Sequence, residues 1–326
     1  MARKLRLEFP GACYHVINRG NYCRDIFRTD GAKAAFEACL FEACLKSAWL
    51  LHAFTLMRNH FHLALETPYG NLAAGMQWLE ATFANRFNKL RGEQGHLFQG
   101  RYKALLVEEG TRLGQVCHYI HLNPVRAGIV AVAQLKNFRY SSYWYLWRPG
   151  NRPTFMEATT ALAEAGNLGD DRNGWAAYEA YLDWQAKEGP AGKSRAYVNL
   201  SRGWALGTTD FKSALVMDHA LLASSRAWEN VGAKEVREIQ WSTALDKALK
   251  ALQRTSVEAR KSRKSAEWKL AVAAWMKSRT QASNRWLTDH LDLGAPAALS
   301  RNLTNYRRRL QSQDPAWKRL ISISAT

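Results

Sequence analysis

The chain has 326 residues, of which 47% are hydrophobic, and it carries a formal net charge of +18 at pH 7. This length and apolar content predict two ordinary domains that fold without disulfide bonds. The five cysteines show no CxxC spacing, no signal peptide opens the chain, and no apolar run approaches the ~20 residues of a membrane span. These features favour a soluble cytoplasmic protein without a membrane partner over a secreted or membrane-bound one.

The charge is concentrated in two segments. Residues 1–150 carry 19 basic and 10 acidic side chains, residues 151–253 carry 12 and 13, and residues 254–326 carry 15 and 5. Two basic segments around a neutral middle predict two surfaces that face a polyanion, most simply nucleic acid. The alternative is that the positive charge only keeps the protein soluble. The basic runs RKSRK and YRRRL in the last segment count against that alternative.

The first half alternates between strands and helices. ACYHVINRG has the pattern of a strand, and a helix over 30–48 follows. LLHAFTLM and HFHLALE read as two strands joined by Arg58 and Asn59, a two-residue connection that Asn suits because it tolerates a positive φ. A helix over 71–91, the strand RYKALLVEE and a helix over 111–122 complete the order. This order predicts an α+β fold of the ferredoxin type, an antiparallel sheet with helices on one face.

Proline and glycine in RPGNRPT place a domain boundary near 148–154. We expect a first domain over 1–150, a helical middle region of unknown role over 151–253 and a basic helical region over 254–326.

The end of the chain predicts three short helices, EWKLAVAAWMKS, ASNRWLTDHLDLG and APAALSRNLTNYRRRL, with a turn at Gly294 before the third. This pattern resembles a helix-turn-helix, whose last helix would enter the major groove of duplex DNA. An ordinary helical hairpin is the alternative. The side chains that favour DNA binding lie on or near the last helix: Ser300, Arg301, Asn305, Arg307 and Arg308.

Two histidines one residue apart lie in the strand HFHLALE. Side chains alternate along a strand, so His60, His62, Ala64 and Glu66 share one face while Phe61, Leu63 and Leu65 share the other. With the apolar side chains buried under the helices, we expect the imidazoles on the open side of the sheet, close enough to bind one divalent metal ion. Two ligands make a weak site unless other groups contribute, and a bare HxH pair is more often two surface histidines.

The helix over 111–122 offers further polar groups. Its 100° step per residue places Tyr119 and Asn123 together at one edge of the buried stripe, and Pro124 predicts that the helix ends near Asn123. Asn123 can supply a third metal ligand and Tyr119 a nucleophile, although a half-buried tyrosine at a helix end is the more common case. His121 is a rival ligand, but the helical step directs it away from Tyr119.

The stretches HVINRGN, LMRNHFHLALE, FQGRYKALLVEE and YIHLNPVRAGIV, followed by YSSY at 140–143, together resemble the REP-associated tyrosine transposases. These are single-tyrosine members of the HUH endonuclease superfamily, and the resemblance covers about residues 5–148. It implies a nuclease domain in which His60, His62 and Asn123 hold Mg²⁺ or Mn²⁺. It also implies that Tyr119 attacks single-stranded DNA, leaving a 5′-phosphotyrosine and a free 3′-OH. Arg58 departs from the family pattern, which commonly has proline there.

The resemblance predicts a metal-dependent endonuclease and strand-transferase that acts on hairpin-forming, repetitive extragenic palindrome-type sequences. A non-catalytic nucleic-acid-binding regulator on the same domain, and a metal-dependent hydrolase that uses water, are the alternatives. The chain could act as a monomer or a homodimer, with the tyrosine in cis or in trans. Basic and aromatic residues around the site are expected to bind the DNA strand: Asn18, Arg19, Gly20, Arg58, Asn59, Arg101, Tyr102, Lys103 and Arg126.

Overall fold

The structure, a computed structural model, describes residues 7–187, 199–201, 203–218, 233–280, 282–309, 311 and 313–322. The chain divides into two compact units: described residues up to Lys212 belong to the first unit, and those from Ser213 onward belong to the second. This division differs from the expected boundaries at 150 and 253. The physical reason is that Leu162, Tyr178 and Leu182, which follow residue 150, are buried in the same hydrophobic core as the sheet of the first unit.

A five-stranded sheet organises the first unit. Its strands are β1 (Ala12–Arg19), β2 (Leu50–Leu56), β3 (His60–Thr67), β4 (Lys103–Val107) and β5 (Ala205–Leu206), and their order across the sheet is β2-β3-β1-β4-β5. The central strand β1 is antiparallel to β3 and to β4, and β2 is antiparallel to β3. The predicted antiparallel sheet is confirmed. The short strand β5, which pairs in parallel with β4, is an addition that the sequence did not indicate.

The helices of the first unit follow the predicted order of strand, helix, hairpin, helix, strand and helix. They are α1 (Asp30–Ser47), α2 (Leu72–Arg91), α3 (Thr111–His121), α4 (Asn123–Arg126), α5 (Ser142–Leu146), α6 (Thr159–Glu164) and α7 (Arg172–Lys187). Helix α8 (Thr209–Asp218) begins in the first unit and ends in the second.

Helices cover both faces of the sheet. On one face, Phe36 of α1 packs against Phe61 of β3 and Phe83 of α2, with ring centroids 4.8 and 5.1 Å apart. On the other face, Val116 and Ile120 of α3 are buried in a core that also includes α6 and α7. The second face was expected to be open. It is covered because the apolar stripe of α3 is buried against the strands, and α6 and α7 in turn cover that helix.

The hairpin between β2 and β3 closes with two residues, as predicted. The amide of Met57 donates to the carbonyl oxygen of His60 at 2.8 Å, which leaves Arg58 and Asn59 as the loop. Neither residue has a positive φ, so the expected tolerance of Asn for that conformation is not used. A contact with another part of the chain fixes the loop instead, since the amide of Gly20 donates to the carbonyl oxygen of Asn59 at 2.7 Å.

The second unit is helical. Its helices are α9 (Ala233–Ala251), α10 (Ser256–Lys261), α11 (Glu267–Arg279), α12 (Asn284–Leu291), α13 (Pro296–Arg309) and α14 (Pro315–Ser322). The three predicted helices are α11, α12 and α13, and Gly294 has a φ of +79° in the turn before α13. Leu299, Leu303 and Tyr306 of α13 are buried in the core of this unit. None of the described helices combines the length and the apolarity needed to cross a membrane.

Candidate active site

The paired histidines of β3 lie on the face covered by α3. His62 is 4% exposed, and His60 at the start of the strand is half-buried. Their ring centroids are 5.1 Å apart. Burial lowers the pKa of both imidazoles, since the charged form loses its hydration. Both rings are therefore neutral at pH 7, which is the form that binds a metal ion.

Asn59 fixes the orientation of His60. The Nδ1 atom of His60 lies 2.7 Å from the side-chain oxygen of Asn59. The amide nitrogen of the same side chain donates to the carbonyl oxygen of Cys23 at 3.2 Å, so both ends of this carboxamide have partners. Since the amide oxygen only accepts, Nδ1 of His60 carries the proton and Nε2 keeps its lone pair.

A third imidazole, that of His15 in β1, completes the cluster. The ladder between β1 and β3 sets Ile17 opposite His62, so His15 lies on the same face of the sheet. The Nδ1 atom of His15 lies 2.8 Å from the carbonyl oxygen of Leu200, and its Nε2 atom lies 3.0 Å from Nδ1 of His62. Burial lowers the pKa of His15 to about 4, so this ring is also neutral.

These two contacts determine which nitrogens carry protons. A carbonyl oxygen only accepts, so His15 donates from Nδ1 to Leu200 and its Nε2 accepts from Nδ1 of His62. His62 is left with a lone pair on Nε2. The backbone of Leu200 therefore sets the tautomer of His62 through His15.

His15 and Leu200 belong to the site although they were not predicted from the sequence. The alternation in ACYHVINRG places His15 on the same face as Ile17 and Arg19, so part of the signal was present. Alternation alone does not reveal that β1 pairs with β3. Leu200 contributes a backbone oxygen from outside the motifs, and no side-chain pattern marks such a contact.

Tyr119 of α3 lies against the imidazoles. Its half-buried ring is 5.6 Å from that of His62 and 5.7 Å from that of His15, edge-on to both. The guanidinium of Arg126 lies 5.0 Å from the centre of the same ring. The structure thus brings one phenol, two buried imidazoles and one cation together, from the strands β1 and β3 and the consecutive helices α3 and α4.

Asn123 is held at the end of this helix. Helix α3 ends at His121, close to the expected end near Asn123. Leu122 keeps a helical conformation, however, and Asn123 begins the short helix α4 although Pro124 follows it. The side-chain amide of Asn123 donates to the carbonyl oxygen of Tyr119 at 3.2 Å. This contact places Asn123 beside the backbone of Tyr119, and its role as a metal ligand stays a prediction.

His121 points elsewhere, as the helical step predicts. Its Nδ1 atom lies 2.9 Å from the hydroxyl of Tyr178, and its Nε2 atom lies 2.8 Å from that of Ser142. Burial lowers the pKa of His121 to about 3. Both nitrogens thus have partners in the core, away from Tyr119.

The residues expected to bind DNA near the site differ in exposure. Four arginines are exposed, whereas Asn18 and Tyr102 are each 5% exposed. The amide of Asn18 donates to Glu80 at 2.7 Å, so its side chain faces α2 rather than solvent. The exposed arginines are Arg19, Arg58, Arg101 and Arg126.

Lys103 and Gly20 have structural contacts as well. The half-buried Lys103 donates to the carbonyl oxygen of Ser201. At Gly20, a Cβ atom would lie 2.3 Å from the carbonyl oxygen of Arg24, so the chain path around the first loop requires glycine. In the second unit, the predicted DNA-binding side chains of α13 are all exposed: Ser300, Arg301, Asn305, Arg307 and Arg308.

Comparison with known proteins bears on the first unit. Residues 9–123 match the family described as "Transposase IS200 like". No curated protein matches the chain. Among solved structures, a REP-associated tyrosine transposase bound to a REP hairpin is 15% identical, with a TM-score of 0.39, over 47% of this chain and 89% of that one. A protein described as a transposase of Deinococcus radiodurans R1 is 24% identical, with a TM-score of 0.28, over 36% of this chain and 95% of that one.

The family match spans the histidine pair, the tyrosine and the start of α4, which are the residues that carried the resemblance in the sequence. It confirms that resemblance for residues 9–123 of the chain.

Proposed function

We propose that the first unit is a metal-dependent endonuclease and strand-transferase for single-stranded DNA, with Tyr119 as the nucleophile. The observation that carries this proposal is the placement of the Tyr119 ring 5.6 Å from that of His62, a neutral imidazole whose Nε2 lone pair is left available. The hairpin-forming, palindrome-type substrate is proposed from the motifs in the sequence.

The phenol of Tyr119 can carry the reaction without a net change in protons. Its oxygen forms a bond to phosphorus while the bond from phosphorus to the 3′ oxygen breaks. The phenol loses one proton and the departing 3′ oxygen takes up one, which leaves a 5′-phosphotyrosine and a free 3′-OH. Because the phosphoester is kept in the covalent intermediate, the strands can be rejoined without ATP.

The side chains of the site fit a divalent metal ion. His60 and His62 would hold it through Nε2, and Asn123 would add a carboxamide oxygen after turning from its present contact. The Nδ1 protons of both imidazoles are already held by neighbours, an arrangement that orients metal-binding histidines. Mg²⁺ or Mn²⁺ bound there would supply Lewis-acid stabilisation of the charge that develops at the scissile phosphate, worth several kcal/mol.

Basic side chains around the site are suited to hold the DNA backbone. The guanidinium of Arg126 lies over the Tyr119 ring and is exposed, so it can bind a phosphate next to the attacking oxygen. Arg19 lies opposite His60 in the β1–β3 ladder and is also exposed. We assign both residues to strand binding and positioning.

The second unit is proposed to bind duplex DNA through α13. The buried side of this helix consists of Leu299, Leu303 and Tyr306, and its polar and basic side chains face outward. That division is what a recognition helix needs, since one side packs against its neighbours while the other enters the major groove.

Tyr119→Phe tests the nucleophile. This change removes only the phenolic oxygen, so we expect covalent protein–DNA adducts to fall to background while the hairpin is still bound. The measurement is a denaturing gel after incubation with single-stranded hairpin DNA and Mg²⁺ or Mn²⁺. Tyr69→Phe, at a tyrosine that is 73% exposed, is the matched control and should keep full adduct formation. Adducts that persist in Tyr119→Phe would show that another residue attacks.

The double variant His60→Ala/His62→Ala tests the metal ligands. It removes both imidazoles, so we expect loss of Mn²⁺ binding by electron paramagnetic resonance and loss of DNA cleavage, as chelator should cause in the unmodified protein. His96→Ala, at an exposed histidine, should leave both properties intact. Full cleavage in the presence of chelator contradicts the metal-dependent mechanism.

His15→Ala tests the chain of contacts that sets the tautomer of His62. In the metal-free protein we expect imidazole ¹⁵N shifts to show His62 protonated on Nδ1, and this preference to be lost in the variant. Mn²⁺ affinity should fall about 10- to 100-fold, the usual effect of removing such a neighbour. His15→Gln keeps an acceptor and should restore part of both effects. A His62 protonated on Nε2 in the unmodified protein rules out this arrangement.

Arg301→Ala/Arg307→Ala in the full chain tests the helix-turn-helix. If both arginines contact phosphates, the slope of log K against log salt for duplex DNA should fall by about 2. Arg260→Ala/Lys261→Ala removes the same charge from exposed positions on α10 and should change the slope less. Equal effects of the two variants would assign duplex binding to net charge rather than to α13.

A further inference from the structure

A second cluster of ligand-type side chains lies on the same sheet face as the candidate active site. Cys13 of β1, His52 of β2 and Glu66 of β3 each offer one ligand atom, and these atoms all lie within 4.8 Å of one another. Cys13 and Glu66 are direct partners in the β1–β3 ladder. Glu66 is four residues from His62 along β3, about 13 Å, so the two clusters are separate.

A β-bulge brings His52 into this cluster. In β2, Leu51 pairs with Leu65 while Ala53 pairs with Ala64, so His52 is the extra residue between them. Regular pairing from Leu51 onward would set His52 opposite Ala64. The bulge removes it from the ladder, and bulges commonly redirect a side chain in this way. The imidazole lies within reach of both Cys13 and Glu66.

One nitrogen of His52 is buried without a partner among the described residues. The side chain is 6% exposed, and its Nδ1 atom lies 2.8 Å from the hydroxyl of Thr160. The Nε2 atom makes no hydrogen bond and lies 3.7 Å from the Glu66 carboxylate. Burial lowers the pKa of His52 to about 4, so the ring is neutral at pH 7 and does not form an ion pair with Glu66. A buried polar atom without a hydrogen-bond partner destabilises the fold unless a ligand supplies the missing interaction.

The surrounding charges favour a cation. Burial raises the pKa of Glu66, and the carboxylates of Glu109 and Glu157 raise it further. Burial raises the pKa of the Cys13 thiol to about 12, and the carboxylates of Glu66 and Glu109 contribute in the same direction. In a chain with a net charge of +18 this is a local concentration of negative charge. It lies next to a buried thiol and a buried imidazole.

We propose that Cys13, His52 and Glu66 form a binding site for a divalent transition-metal ion of the Zn²⁺ class. Thiolate sulfur, imidazole nitrogen and carboxylate oxygen are the ligands that Zn²⁺ accepts, whereas Mg²⁺ selects oxygen. On binding, the Cys13 thiol releases its proton to solvent, and His52 supplies the lone pair of Nε2. The fourth position of a tetrahedral site is left to water or to Glu109. Such an ion would join the three neighbouring strands β1, β2 and β3.

Co²⁺ tests this site in the metal-free full chain, because Co²⁺ bound to a thiolate absorbs in the near ultraviolet. We expect this band to saturate with one equivalent of Co²⁺ and to disappear when Zn²⁺ is added. Cys13→Ser should abolish the band. His52→Ala and Glu66→Gln should weaken Co²⁺ binding by about 10-fold or more. Glu66→Gln keeps the size of the side chain, so it remains informative if Cys13→Ser fails to fold.

Two control variants locate the ion. Cys23→Ser, at the exposed cysteine, and His60→Ala/His62→Ala should both keep the thiolate band. The absence of a thiolate band in the unmodified protein overturns the proposal, as does a band that Cys23→Ser removes. Because the experiment uses neither DNA nor cleavage, its outcome is independent of the proposed nuclease activity.

Discussion

The antiparallel pairing of β1 with β3 is the constraint on which the candidate active site depends. Its register sets Ile17 opposite His62 and Arg19 opposite His60. A shift by one residue would turn every side chain of one strand to the other face. Tyr14 points to the opposite face of β1, where it is buried together with the residues that it pairs with in the ladder. This burial holds the register. The hydrophobic pattern that builds the core therefore also determines which imidazoles meet.

The segment that ends the first unit takes part in the site although it lies outside the transposase match. The amide of Leu106 donates to the carbonyl oxygen of Trp204 at 3.0 Å, and the amide of Glu108 donates to that of Leu206 at 2.8 Å. These bonds add β5 to the edge of the sheet, a few residues after Leu200. The backbone oxygen that directs His15 is therefore supplied by a part of the chain that a minimal domain over residues 9–123 would lack.

Much of this site could be predicted from short-range periodicity. The period of a strand places His60 and His62 on one face, and the period of a helix directs Tyr119 and His121 apart; the structure confirms both arrangements. The burial of that face could not be predicted, because it depends on α6 and α7 packing from beyond the expected domain boundary.

Long-range pairing accounts for the rest of what the sequence did not reveal. His15 has an ordinary place in an alternating strand, and only the pairing of β1 with β3 makes it a neighbour of His62. The bulge at His52 is invisible in LLHAFTLM because no glycine or proline marks it. The alternation along a strand predicts the face on which a side chain lies. The residues that it meets there depend on pairing between distant parts of the chain.

The charges at the two ends of this sheet face are opposite. Near the histidine pair, Arg19 and Arg126 are close enough to help lower the pKa values of His60 and His62. At the other end, burial and two further carboxylates raise the pKa of Glu66. The phosphate backbone of the proposed DNA substrate would be attracted to the first end and repelled from the second. This difference in charge would direct such a strand to the side of Tyr119 and away from Cys13.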